Sequence, residues 1–150
     1  MGGKMKVCGV ELKGNDAVIT LLNFEFGLFD LPDCRVRKLS INDADSVEQL
    51  RDFQFTFAKL MQDYKIDRVV IRKRAHKGKF AGGAVGFKLE AAIQLVEGVQ
   101  VDLMSPTDVK DQLKHTPLPV NFKGTGLKQF QENAFTTGYA YLCRNDKAAE

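Results

Sequence analysis

Hydrophobic and polar positions first alternate along the chain. In MKVCGVEL, residues 5–12, Val7, Gly9 and Glu11 fall on one side and Cys8, Val10 and Leu12 on the other, the period of a strand. KGND, residues 13–16, carries turn chemistry in Gly14 and Asn15, and AVITLLNF, residues 17–24, returns as a second strand to complete a hairpin. After a loop around Pro32, CRVRKLSI, residues 34–41, predicts a third strand. The period then becomes helical. Val47, Leu50, Phe53, Phe57, Leu60 and Tyr64 form one apolar stripe, opened by Asp45 with Glu48 three residues on in a capping-box arrangement. Such a stripe is core packing.

DRVVIRK, residues 67–73, is short and β-branched, as expected of a buried strand in a largely parallel sheet. A second helix is expected over about 83–97, with Val85, Leu89, Ile93 and Val96 inward and Gly98 as the residue that ends it. VQVDLM, residues 99–104, is a fifth strand. Ser105 then caps a third helix that has Pro106 at its first position and Asp108 in its first turn. A polar loop over 115–126 leads to a last helix, about 127–143, whose packing ridge is Leu127, Phe130, Ala134, Gly138 and Tyr141.

The order β-β-β-α-β-α-β-α-α predicts an α/β protein with a mixed five-stranded sheet. An antiparallel meander joins a parallel part, helices cover both faces, and the strands around Val10 and Val70 are central neighbours. With 150 residues the chain makes one domain, expected over 5–150, with MGGK at 1–4 as a loose leader. A hydrophobic content of 44% is that of a globular domain, and no apolar run approaches the roughly 20 residues of a membrane span, so no membrane partner is expected. The N-terminus lacks a signal-peptide pattern, and three widely spaced cysteines without a CxxC fit a reducing cytoplasm. His76 and His115 have no Cys or His at zinc-ligand spacing, so no metal site is expected from them.

Charge changes the picture. The net charge is only +3, yet seven Lys or Arg and no Asp or Glu lie between Arg68 and Lys88. The rest of the chain holds 15 basic against 19 acidic residues, so the positive field is local and marks a docking site. Arg72, Lys73, Arg74, Lys77 and Lys79 surround Gly82 and Gly83, which stand just before a helix whose free N–H groups add to an anion site. Phe80 is placed either to stack on a base or to fill a gap. Phosphodiester backbone, or another polyanion, is the natural ligand. The glycine pattern matches neither GxxxxGK[ST] nor GxGxxG, so no nucleotide cofactor is implied.

Element order and three stretches together resemble the RNase H-like fold of RuvC-type resolvases. VCGVELKGNDAVITLL resembles their opening strand and hairpin, and DRVVIRKRAHKGKFAGGAVGFKLEAAIQLV their fourth strand, loop and following helix. VQVDLMSPTDVKDQL resembles their fifth strand and capped helix. More narrowly, the chain resembles a small bacterial family of that superfamily with no assigned activity. The wider resemblance implies a metal-dependent nuclease that holds two divalent ions on carboxylates from the first strand, the end of the fourth strand and the final helix. The first position matches Glu11. The second is Arg72, a cation that opposes a metal about 5 Å away by roughly 3 kcal/mol per unit charge product. The third is Asn133, with Glu132 beside it.

Glu11 and Glu132 are thus the catalytic candidates, with Mg²⁺ as cofactor, only if the chain is an active nuclease. On the residues themselves, Glu11 is expected to pair with Arg72. Three readings stand: a non-catalytic nucleic-acid-binding protein, a divalent-metal-dependent nuclease or resolvase, and a protein-interaction or assembly module. The last rests on FEFGLFDLP, residues 24–32, an apolar segment that either packs in the core or forms a homodimer surface.

Overall fold

The computed structural model of the protein describes residues 4–79 and 81–145. Among these, one sheet contains six strands: β1 (Met5–Lys13), β2 (Asp16–Glu25), β3 (Leu28–Asp30), β4 (Lys38–Ser40), β5 (Arg68–Arg72) and β6 (Gln100–Met104). Four α-helices cover it: α1 (Val47–Asp63), α2 (Ala84–Gln94), α3 (Pro106–His115) and α4 (Glu132–Asn145). Most of the expected leader lies outside the described residues.

The hairpin forms as its pattern predicts. β1 and β2 pair antiparallel from Met5↔Phe24 to Lys13↔Asp16, through a turn in which Gly14 has φ 58°. β5 then lies parallel to β1, with Gly9 beside Val70, and β6 lies parallel to β5 at the edge. The expected central neighbours are therefore neighbours.

The third strand is divided. β3 pairs with the end of β2 (Asn23↔Asp30) and β4 with its start (Asp16↔Ser40), while residues 31–36 make no ladder between them and the Arg37 carbonyl accepts from the Ile19 N–H at 2.9 Å. Pro32 has no N–H to give a ladder, which favours the break there. β3 itself comes from the segment expected as a loop. Phe26 and Gly27 have φ of 53° and 77°, the two positive values that a tight hairpin turn requires. Phe24, Phe29 and Leu31 pack against the core, whereas Phe26 and Leu28 are 80% and 74% exposed.

Each face of the sheet has its own core. Cys8, Val10, Leu12, Val69 and Ile71 face α1 and α2, meeting Phe57, Leu60, Leu89 and Ile93. Val7, Val70 and Met104 face α3 and α4, meeting Val109, Phe135, Tyr141 and Leu142. Burial on both faces is why the central strands read as nearly continuous apolar runs.

Several boundaries shift. α1 is capped by Ser46, whose Oγ accepts from the Gln49 N–H at 3.2 Å, while Asp45 pairs with Lys88 of α2 at 2.8 Å. Val47 is consequently exposed and the buried part of the stripe begins later. The last helix starts at Glu132. Gly126, at φ 78°, and two 3-10 turns, Phe122–Thr125 and Gln129–Gln131, occupy the stretch before it, and Phe130 remains partly exposed.

One close contact fixes α4. A Cβ built on Gly9 would lie 2.1 Å from the Ala134 carbonyl oxygen, and one on Gly138 would lie 2.5 Å from a Leu22 methyl and 3.4 Å from the Gly9 Cα. Two glycines face to face let the helix backbone lie almost on the strand. The first turn of α4 is thereby held over the end of β1.

Candidate functional site

Parallel strands β1 and β5 end side by side, and the chain leaves both in the direction of the basic loop. Glu11 and Arg72 stand at these carboxyl ends on the α4 side, the position where open α/β sheets place ligands. With Lys73, Arg74, Ala75, Ala81, Gly82 and Pro106 they line a cleft of about 420 Å³.

The expected Glu11–Arg72 pair is not made. Glu11 Oε2 accepts from the Asn133 amide at 2.8 Å, while Arg72 Nη1 donates to Thr137 Oγ1 at 3.4 Å. The close seating of α4 on Gly9 explains this, since it brings Asn133 to the carboxylate and Thr137, one turn along, to the guanidinium. Glu132 does not line the cleft and accepts from Gln129 Nε2 at 2.8 Å.

Arg74 is held differently from its basic neighbours. Its Nη1 donates to the Leu12 carbonyl at 3.1 Å and its Nη2 to the Gly83 carbonyl at 3.0 Å, with the guanidinium 5.0 Å from the Phe87 ring centre. Gly82 and Gly86 make room for it, since a Cβ on either would lie 2.5 Å or 2.0 Å from guanidinium atoms. This stitch ties the end of β1 to the start of α2. The loop neck is closed above it by the Gly82 N–H, which donates to the Ala75 carbonyl at 2.9 Å.

The start of α2 is strongly positive. Its cap, Gly83, provides no side-chain acceptor, and its first turn holds no acid. The N–H groups and the helix dipole therefore add to the Arg74 charge. Lys73 lines the cleft and is exposed, Arg72 is half-buried in it, and Lys77 and Lys79 are exposed in the loop between β5 and α2. Lys88 is neutralised by Asp45, and Arg68 is at the opposite end of the sheet, donating to Tyr141 Oη at 3.3 Å. The His76 ring meets Phe87 edge-on at 4.9 Å. Phe80 lies outside the described residues.

A pair of divalent ions about 4 Å apart needs several converging carboxylates. Here Glu11 meets an amide, and Arg72 stands beside it. Among the described residues, no three His, Cys, Asp or Glu side chains gather at a metal-binding distance. The donor set does not fit such a pair.

Two features are not legible in the chain alone. Asn133 stands out there only as a missing acid, with no sign that it would hold Glu11. Arg74 looks like its basic neighbours, although Gly82 and Gly86, four residues apart at the helix start, are the mark of a side chain nested there.

The protein has the RNase H-like fold of the RuvC resolvases. The RuvC of Thermus thermophilus superposes with a TM-score of 0.70 at 12% identity, covering 93% of this chain and 96% of that one. The same enzyme in complex with a Holliday junction substrate gives 0.64 at 11% identity, over 93% and 95%. The yeast mitochondrial Holliday junction resolvase Ydc2 gives 0.56 at 6% identity, over 93% and 77%. Within that class, the chain belongs to the family described as "Protein of unknown function (DUF3010)", which it matches over residues 5–141. A sequence search of curated proteins finds no match.

Proposed function

We propose that this protein binds nucleic acid through its phosphate backbone, without cutting it, in the cleft at the carboxyl ends of β1 and β5. One observation carries the reading: Arg72, Lys73 and Arg74 line the cleft with Gly82 beside an acid-free helix start, and the exposed Lys77 and Lys79 follow in the adjoining loop. Phosphates approaching that start meet N–H donors and ammonium groups together. Arg74 serves as the scaffold beneath them, since it bridges the strand end and the helix start that frame the site. Glu11, held by Asn133 beside a cation, is an anchor for α4 and not a metal ligand. The structure of Thermus thermophilus RuvC with a Holliday junction substrate supports nucleic acid as the ligand class, because it is a protein of this fold in complex with DNA. The cationic groups meet phosphates of any sequence alike, so we take the binding to be largely independent of sequence.

Fluorescence anisotropy with single- and double-stranded DNA and RNA, across a salt series, tests this. Four phosphate contacts give a slope of log K against log[salt] of roughly −3 to −4. Replacing Lys77 and Lys79 by Ala lowers the slope by about one unit for each phosphate no longer engaged, with the fold intact. Absence of binding to every one of these at low salt, from folded protein, would leave the assembly module as the better reading. Mg²⁺-dependent cleavage abolished by Glu11→Gln would establish the nuclease.

A further inference from the structure

The row of residues that crosses the sheet at the cleft continues beyond it. Glu11 and Arg72 stand one residue past the parallel pair Val10↔Ile71, Glu11 pairs with Val18 of β2, and Val18 pairs with Lys38 of β4. Arg72, Glu11, Val18 and Lys38 therefore lie side by side on four neighbouring strands. At a strand spacing of roughly 4.8 Å, Lys38 stands about 14 Å from Arg72.

An aromatic ring marks the far end of that row. The Lys38 ammonium lies 5.7 Å from the centre of the Phe130 ring, and Phe130 is 39% exposed. A well-anchored turn presents it. The neighbouring Gln131 is buried, donates from Nε2 to the Ile19 carbonyl at 3.0 Å, and accepts at Oε1 from the Lys128 N–H at 2.9 Å. Asn133, two residues on, holds Glu11 at 2.8 Å, so one short stretch of chain reaches from the ring to the cleft.

Both ends of this track are cationic. Arg72 and Lys73 line the cleft, while Lys38 and the exposed Lys128 flank the ring. Asp16 approaches Lys38 only to 3.8 Å, an exposed pair that offsets little of its charge. Glu11 and Glu132 lie between the two ends, so phosphates are held at the ends and not over the middle.

We infer that the cleft and Phe130 form one track for single-stranded nucleic acid, with a base stacked on the Phe130 ring and phosphates held at Lys38 and in the cleft. The inference rests on the phosphate binding proposed for the cleft and adds the class of ligand. A duplex keeps its bases paired and stacked on one another, so it offers the cleft its phosphates but offers the ring no free base face. The 14 Å span is that of about four nucleotides at 3.4 Å per phosphate along one strand. Stacking accepts every base, in keeping with binding that does not depend on sequence.

Anisotropy at fixed salt, with oligothymidylate and with its duplex on oligodeoxyadenylate, tests the inference. The single strand should bind several-fold more tightly than the duplex. Phe130→Leu keeps an apolar side chain and removes the π-face. It should weaken single-strand binding about tenfold, within the range for loss of one base–aromatic stack, and leave duplex binding unchanged. Phe130→Tyr should restore the parent affinity. Photo-crosslinking of the unaltered protein to a strand containing 4-thiothymidine gives a readout free of any effect on folding, and attachment is expected at Phe130 or its immediate neighbours. Equal affinity for strand and duplex, indifference of the single strand to Phe130→Leu, or crosslinks confined to other parts of the chain would each overturn the track while leaving backbone binding in the cleft intact. Absence of binding to either nucleic acid would remove both readings.

Discussion

At the scale of single residues, neighbouring cations do different work. Arg74 joins the Leu12 carbonyl at the end of β1 to the Gly83 carbonyl at the start of α2, so Arg74→Ala should destabilise the protein by about 2 kcal/mol in a denaturant titration. Arg72 has one long hydrogen bond to a hydroxyl and no acid partner among the described residues, so Arg72→Ala should weaken nucleic-acid binding and leave the melting temperature nearly unchanged. A large fall in melting temperature would show that Arg72 holds the fold. Gly9 is a third case. Its absent Cβ would lie 2.1 Å from a backbone oxygen, which no side-chain rotation relieves, and Gly9→Ala should destabilise by about 3 kcal/mol.

At the scale of elements, the two faces are braced by different means. α4 is seated by the Gly9–Gly138 contact and by burial of Phe135, Tyr141 and Leu142. On the other face, ion pairs join elements to α1: Lys88 of α2 to Asp45 just before it, and Arg35 to Asp63 at its end, each at 2.8 Å. Hydrogen bonding from Lys88, then its charge, holds the Asp45 carboxyl below the usual carboxylate range, and Arg35 does the same first for Asp63. A lowered folded-state value means that the stabilisation is complete above the unfolded value near 4 and is lost as pH falls through the folded values. Both acids are solvent-accessible, so the effect is small. Melting curves from neutral to acid pH should fall more gently for Lys88→Ala than for the parent, and an unchanged acid limb would show that the Asp45 pair contributes nothing.

At the scale of the whole molecule, the sheet brings to one cleft a carboxylate, Glu11, and three cations, Arg72, Lys73 and Arg74, that lie some sixty residues apart in the chain. Glu11 is the negative charge in that cleft. If the cleft binds phosphates, Glu11→Gln removes a repulsion, and affinity for nucleic acid should rise a few-fold without a change in the phosphate count. Anisotropy at fixed salt checks this. A fall in affinity would mean that the carboxylate takes part in binding, directly or through a cation.

Much of the fold was determined by the sequence alone. Alternation over residues 5–12 and 17–24, the helical stripe from Leu50 to Leu60, and the Ser105–Pro106 cap are local signals, set by the periods of strand and helix and by backbone hydrogen bonding at helix ends. The grouping of cations without acids is likewise plain in one dimension. Tertiary structure decided the rest, because the deciding contacts join distant residues. The β3–β4 break depends on pairing with two separate ends of β2, which no local period in residues 28–40 announces. The late start of α4 depends on the 3-10 turns packing beside Ile19, which Gln131 reaches across 112 residues. The partner of Glu11 lies 122 residues away, and a backbone contact between two glycines, with no side chain to announce it, placed Asn133 there ahead of Arg72.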